Sequence, residues 1–410
     1  MKRGTQVGHK LVQINTVANG SIGKIMKQTQ IEAEKQGFTT ISFVGRRKIY
    51  TEAVCEKFGN PISFWLHVAV NTVFDRQGHS SRLQTKKLIK RLREEKPDII
   101  HLHNLHGYYL NVPMLIRYLK EEYQGQLLWT FHDCWAFTGH CPYFTMIECD
   151  KWKKGCEKCP NKNKYPISFG ADRSKKNYIE KKNWFSNLPN LKIIAPSEWM
   201  KAHITQSFLN EYPIEVIPNG VDQKVFCRRN SRQIYSRYDI PVDKKILLGV
   251  ADMWSERKGI SDFLELAEKL PQKYQIVLIG RNKDRRIKKY KNITGIPYTE
   301  NSYELAEFYS EAFAFLNPSR EESFSVVTAE ALSCGTPAIV LDTSAVKELV
   351  TENTGIVLHR HGADDYIDAI KKIEKNSFDS REIAKYARKF SAEQMTEKII
   401  TLYREGIGEK

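Results

Sequence analysis

Residues 317–337 read Asn317-Pro318-Ser319-Arg320-Glu321-Glu322-Ser323-Phe324-Ser325-Val326-Val327-Thr328-Ala329-Glu330-Ala331-Leu332-Ser333-Cys334-Gly335-Thr336-Pro337. An apolar run, Ala312 to Leu316, precedes them, and the closing Gly-x-Pro ends a helix. The pattern predicts a strand, a polar loop carrying Glu322, and a helix beginning near Phe324 or Ser325. First-turn N–H groups of a helix have no intrahelical partner and carry the positive end of the dipole, so they seat a phosphate. Glu330, roughly five residues into that helix, would repel the same phosphate but suits a neutral diol such as a ribose. A diphosphate flanked by polyols describes a sugar nucleotide.

Outward from this block, three further segments carry signal. Val216-Ile217-Pro218-Asn219-Gly220-Val221-Asp222 is followed by Phe226. Arg257-Lys258-Gly259 offers a cationic point charge after a turn, and Ile276-Val277-Leu278-Ile279-Gly280 is an apolar strand ending in glycine. Together with the Glu322/Glu330 spacing, these segments resemble glycosyltransferase family 4, the retaining family of GT-B fold, over nearly the whole chain. The resemblance implies an α/β fold: two Rossmann-like doubly wound parallel-sheet domains facing across a cleft. It implies a nucleoside-diphosphate-sugar donor, UDP- or GDP-linked, and a glycan or lipid-linked acceptor.

The same resemblance distributes roles. Lys258 contacts the donor diphosphate, with Arg257 beside it and the backbone of Ser323, Phe324, Ser325 and Val326 as the phosphate seat. Glu330 takes the ribose, Gly280 lies near the base, and Ile296 joins the donor-binding set. Glu322 orients the donor sugar hydroxyls. In Asn19-Gly20-Ser21-Ile22-Gly23, read as a turn before a helix, Gly20 and Gly23 permit close approach to donor phosphates and acceptor. In Trp129-Thr130-Phe131-His132-Asp133, His132 hydrogen-bonds the donor sugar or its phosphate. The catalytic set is therefore His132, Glu322 and Lys258. His101 and His103 share a face under a period of two; buried histidines are favoured there over a metal pair.

Two departures stand out. Where the family often has Gly-Arg, this chain has Ala251-Asp252-Met253-Trp254. Arg257 is the preferred substitute cation, ahead of Arg281 or a site with fewer cations. Ser325 stands where the family usually has glycine. No Asp-x-Asp occurs in the chain, which agrees with leaving-group stabilisation by a helix terminus and Lys/Arg, and with no cofactor for catalysis.

Apolar runs alternate with amphipathic stretches, the signature of parallel sheets with crossover helices. Strands are expected at Lys10 to Asn15, Thr40 to Val44, Ile99 to His103, Leu127 to Phe131, Ile193 to Ala195 and Glu215 to Ile217. A second set is expected at Lys245 to Val250, Gln275 to Ile279, Ala312 to Leu316 and Ala338 to Leu341. The expected domains are 1–222, with a Cys-rich insertion at 134–164, and 223–388. A terminal helix within 389–410 is expected, by the resemblance, to pack back on the first domain.

At 410 residues the chain suits two domains. No run approaches the roughly 20 apolar residues that span a bilayer, and no h-region follows the basic start, so a cytoplasmic site is expected. The net charge is +16. Arg82 to Lys96 holds seven Lys/Arg against two Glu, with Leu83, Leu88, Ile89 and Leu92 at helical spacing. An anionic membrane surface is the expected partner, on the inner face of the plasma membrane, and nucleic acid is not. Ile62 to Phe74 is apolar and reads as a buried core helix ahead of an interfacial one.

Five of eight cysteines fall between Cys134 and Cys159. Cys141, Cys149, Cys156 and Cys159 read as a structural zinc set, with free thiols and disulfides as the other readings. The leading reading is a retaining glycosyltransferase for a bacterial surface glycan, capsule, exopolysaccharide or lipopolysaccharide. A nucleotide-sugar epimerase of the same architecture and a basic zinc-containing nucleic-acid binder are the alternatives. The last leaves the Glu322/Glu330 block unexplained.

Overall fold

The long apolar runs lie in two all-parallel sheets in the computed structural model, which describes residues 8–46 and 55–408. Strands buried on both faces need continuous apolar sequence, and the central strands show it. The first sheet is built by β1 (Lys10–Val17), α1 (Gly20–Lys35), β2 (Thr39–Arg46), β3 (Cys55–Lys57), α2 (Pro61–Phe74), α3 (Arg82–Glu95) and β4 (Ile99–Leu102). It continues through α4 (Val112–Glu121), β5 (Gln126–Thr130), α5 (Ser174–Phe185), β6 (Leu191–Ala195), α6 (Glu198–Thr205) and β7 (Ile214–Val216). Strand order is β3-β2-β1-β4-β5-β6-β7, with Ile14 paired to Phe43 on one side and Leu102 on the other. Chain direction across the sheet therefore reverses between β1 and β4.

The second sheet follows α7 (Gln233–Arg237). It is assembled from β8 (Lys245–Met253), α8 (Ile260–Lys269), β9 (Tyr274–Arg281), β10 (Ile293–Ile296), α9 (Ser302–Glu311) and β11 (Ala312–Asn317). Then come α10 (Val326–Ser333), β12 (Ala338–Leu341), β13 (Gly355–Leu358), α11 (Ala363–Lys375) and α12 (Ser380–Ala387). Its order, β10-β9-β8-β11-β12-β13, is the doubly wound arrangement with its switch point between β8 and β11. Apolar clusters cover both faces, one through Phe315, Leu332 and Val340, the other through Phe263, Leu316 and Ile370.

The last helix, α13 (Ala392–Gly406), begins in the second unit and belongs to the first from Met395 onward. There Ile399, Ile400, Leu402 and Tyr403 pack with Leu11, Ile25, Ile99 and Leu128, closing one face of the first sheet. The first unit ends at Pro218, four residues before the expected limit, because Val221 pairs with Ser391 inside the second unit.

Several expectations need correction. Residues 20–23 are the first turn of α1, not a loop. β3, β10 and β13 were not foreseen; they are edge strands of three or four residues, too short to show a period. Leu83 of α3 is 69% exposed, although Leu88, Ile89 and Leu92 are buried. α2 is not a core helix: its buried positions are His67 and Asn71, and Ile62, Trp65, Leu66, Val73 and Phe74 are exposed.

Ile399 is 2% exposed within the α13 cluster. Ile399→Ala is expected to cost about 2–4 kcal/mol by cavity formation, read as a lower urea midpoint of the first unit. An unchanged midpoint would show that α13 is not part of that core.

Candidate active site

At the second sheet's switch point, β8 runs into a tight turn, Glu256–Lys258, and β11 runs into the loop 318–325. Gly259 locks the two together. Its φ is +73°, and a Cβ there would lie 2.5 Å from the Pro318 side chain and carbonyl. This explains the glycine of Lys258-Gly259: a side chain would push the turn off the loop.

The loop is then strapped to the turn. Arg320 N–H donates to the Arg257 carbonyl at 2.9 Å, and the Arg257 guanidinium donates to the Glu321 carbonyl at 2.9 Å. Lys258 Nζ bonds Glu322 Oε1 in a part-buried ion pair. Glu322 N–H donates to Ser344 Oγ at 3.0 Å. Burial works to raise the Glu322 carboxyl, but Lys258, Arg257 and a hydrogen bond from Ser319 outweigh it and hold the carboxyl below the usual carboxylate range. Of the two candidate cations, Arg257 thus lies against the loop, while Arg281 pairs with Asp252 at 2.7 Å on the surface.

Ser325 precedes α10 at φ +90°, a left-handed conformation that favours glycine. Its hydroxyl accepts from Asn317 Nδ2 at 2.8 Å and sits 2.9 Å from Thr328 Oγ1. That side chain does not cap the helix. The first intrahelical bond is Ala329 N–H to Ser325 carbonyl at 3.3 Å, so the N–H groups of Val326, Val327 and Thr328 have no intrahelical acceptor. Ser323 is half-buried in the loop, and Phe324 is in the core, edge-on to Phe390.

Glu330 is buried on α10 and accepts from Tyr309 Oη at 3.0 Å. Burial and then this carboxylate push the Tyr309 hydroxyl well above its ordinary value. Gly280, next to last in β9, has φ +126°, and a Cβ there would fall 1.7 Å from the Ala251 carbonyl. Ile296 ends β10 with its side chain in the core. Lys258, Arg257, Glu322 and the α10 amino end are gathered in one place.

In the first unit, Gly20 opens α1 at φ +74°, and a Cβ on Gly23 would meet the Ala18 carbonyl at 2.3 Å. His132 follows β5 and lies 3.1 Å from His103 Nδ1, whose other nitrogen is 3.2 Å from Gln13 Oε1. Gln13 Oε1 only accepts, so His103 Nε2 carries hydrogen and His132 Nε2–H donates to His103. Burial lowers His132 to about 4 against the pull of Asp133, so the ring is neutral at physiological pH. His101 is spent on Tyr403 Oη (2.6 Å) and Thr130 Oγ1 (2.7 Å). The buried-histidine reading of 101 and 103 holds.

The insertion's cysteines are free thiols. Gly139 N–H donates to Cys156 Sγ at 3.1 Å, and a hydrogen bond from Cys141 lowers the Cys159 thiol to about 7. Among the described residues no group of three or more His, Cys, Asp or Glu is placed to hold a metal ion. The thiols of Cys141 and Cys159 share a hydrogen bond, and Cys156 lies close enough to both Cys159 and Cys149 to feel their charge. Sequence reasoning singled out none of Tyr309, Ser344 and Lys181. The Lys181 ammonium is buried and donates to the Trp135 and Thr138 carbonyls at 2.7 and 2.9 Å. A lone Ser, Tyr or Lys without a motif carries no signal in a single sequence.

Lys258→Met would strand Glu322 with Arg257 alone, at an expected cost of about 3 kcal/mol at neutral pH. In the native protein Glu322 is depressed, so its contribution is present above the ordinary carboxylate value and lost as pH falls through the lower folded value. In the variant burial dominates and the sign reverses, so the stability gap should narrow toward acid. Urea titrations at neutral and acid pH check this; a gap constant with pH refutes the pair.

The family described as Glycosyltransferase Family 4 matches residues 46–225, and that described as Glycosyl transferases group 1 matches residues 231–390. The chain is 23% identical over 331 residues to the putative colanic acid biosynthesis glycosyl transferase WcaC of Escherichia coli (strain K12), covering 76% of this chain and 77% of that protein. It is 27% identical over 215 residues to the D-inositol 3-phosphate glycosyltransferase of Mycobacterium tuberculosis (strain F11), covering 48% and 44%. Among solved structures, sucrose-phosphate synthase from Thermosynechococcus elongatus aligns with a TM-score of 0.71 at 18% identity, covering 97% and 98%. Anabaena HepE in complex with UDP and glucose aligns at 0.69 and 13%, covering 97% and 100%. These likenesses show the fold. With the two family matches in tandem over most of its length, the chain belongs to the family 4 glycosyltransferases and has their GT-B fold.

Proposed function

We propose that the enzyme moves a sugar from a UDP- or GDP-sugar to a hydroxyl of a lipid-linked acceptor, with retention, during assembly of a bacterial surface polysaccharide. The carrying observation is the Lys258–Glu322 pair held beside the uncapped amino end of α10. A diphosphate there would receive N–H bonds from Val326 and Val327 and the Lys258 charge, which together stabilise the departing nucleotide. Glu330, already accepting from Tyr309, has acceptor capacity suited to the ribose diol.

Glu322 is ionised and pinned, which suits orientation of donor hydroxyls better than nucleophilic attack. The acceptor hydroxyl then attacks the anomeric carbon on the face the nucleoside diphosphate leaves. A carbon–oxygen bond forms as the sugar–phosphate bond breaks, and the hydroxyl proton passes to the departing phosphate. Support for the biological role comes from the WcaC relative, named for colanic acid biosynthesis. Support for a uridine donor comes from HepE, solved with UDP and glucose.

A thermal-shift panel of sugar nucleotides should single out the donor, since stabilisation grows with ligand over Kd, to about 2.7 kcal/mol at a hundredfold excess. Glu330→Ala and Lys258→Ala should each lower transfer by roughly a hundredfold or more, with donor hydrolysis falling in parallel. Retained turnover in both variants would remove this site from the reaction.

A further inference from the structure

Helix α2 is polar where it is buried and apolar where it is open. His67 accepts the Gly78 N–H at 3.0 Å and shares a hydrogen bond with Ser81, while Asn71 donates to the Ile167 carbonyl at 2.9 Å. On the opposite side Ile62, Trp65, Leu66 and Val73 are 83, 66, 62 and 50% exposed. Their spacing places them on one helical face. A helix that only packed on its own protein would turn this stripe inward. The helix carries no charged residue, and at 14 residues it is too short to span a bilayer.

The neighbourhood enlarges the patch. Phe169 N–H donates to the Thr72 carbonyl and Ala171 N–H to that of Val73, which sets the exposed Phe169 side chain beside the helix end. A groove of about 550 Å³ runs between α2 and the start of α3, floored by Ile62, Leu66, Val70 and Leu83 and edged by Arg76 and Arg82. Beyond it, Arg82, Lys86, Lys87 and Lys90 are exposed on α3. No acidic residue lies between Arg76 and Arg93, and Asp75 just before is buried on His140.

We propose that α2 lies in the interfacial layer of an anionic bilayer, with Ile62, Trp65 and Leu66 among the acyl chains and the α3 cations on the headgroups. Apolar stripe and cationic rim together are what such a surface selects. A second copy is disfavoured as the occupant, because two-fold pairing of this patch would bring like-charged α3 faces together. The inference is independent of the donor site.

The test uses the full chain with vesicles of phosphatidylcholine alone or mixed with phosphatidylglycerol, without acceptor. Binding to the anionic vesicles is expected, weakened by salt. Ile62→Ser combined with Leu66→Ser should lower it roughly tenfold or more, with far-UV circular dichroism and transfer to a soluble acceptor unchanged. Lys86→Glu with Lys87→Glu should remove the preference for anionic lipid. Quenching of fluorescence by brominated lipid should fall in Trp65→Phe. Equal binding by the Ile62/Leu66 variant, no binding by the native chain, or a dimer that this variant dissociates without any vesicle binding would each overturn the proposal.

Discussion

The contact of Gly259 with Pro318 governs the switch point of the second sheet. Two segments far apart in sequence, one after β8 and one after β11, meet with no room for a Cβ between them. Only at that separation does Lys258 reach Glu322 and Arg257 reach the loop backbone. Removing a carboxylate from water is costly, and two cations and the Ser319 hydrogen bond make it tolerable here. The pair thus depends on backbone proximity first and on charge second. Under the proposed function, a diphosphate at α10 would meet a lysine already fixed in place, so little side-chain entropy would be lost on binding.

Much of this was legible in the sequence because the relevant signals are local. Strand, loop and helix over 312–333 follow from an apolar run, a polar stretch and a closing Gly-x-Pro. Lys258-Gly259 is readable as a turn because glycine at positive φ is a local requirement. What was illegible is either short or non-local. β10 and β13 are four residues each and show no period. Tyr309, which bonds Glu330 from 21 residues away, has no sequence mark. The α2 misreading has a different cause: composition reports how apolar a helix is, not which side faces the protein. His67 and Asn71 fall four apart, which was the available hint that the inner face is polar.

The first unit uses burial in the opposite way. Gln13, His103 and His132 form a chain beneath the strand ends, and His101 joins Tyr403 of α13 to Thr130 of β5. Desolvation keeps the rings of His101, His103 and His132 neutral. Neutral imidazole both donates and accepts, so His101 and His103 each bridge two neighbours. Such a layer fixes register, since a strand slip would leave several buried polar groups unpaired. It also ties the returning helix to the sheet by a directional bond as well as by the apolar contacts of Ile399 and Leu402.

Ser325 shows what the loop before α10 gives up for its geometry. A non-glycine residue in the left-handed region carries a penalty of about 1–2 kcal/mol. Its hydroxyl bonds with Asn317 and Thr328 offset part of that. A serine in ordinary capping geometry would have spent its oxygen on a first-turn N–H. Here the strained backbone turns the oxygen sideways, and the helix begins uncapped. The conformation that costs stability is therefore the one that leaves the amino end of α10 open to an anion, and Glu330 sits too far along the helix to fill it.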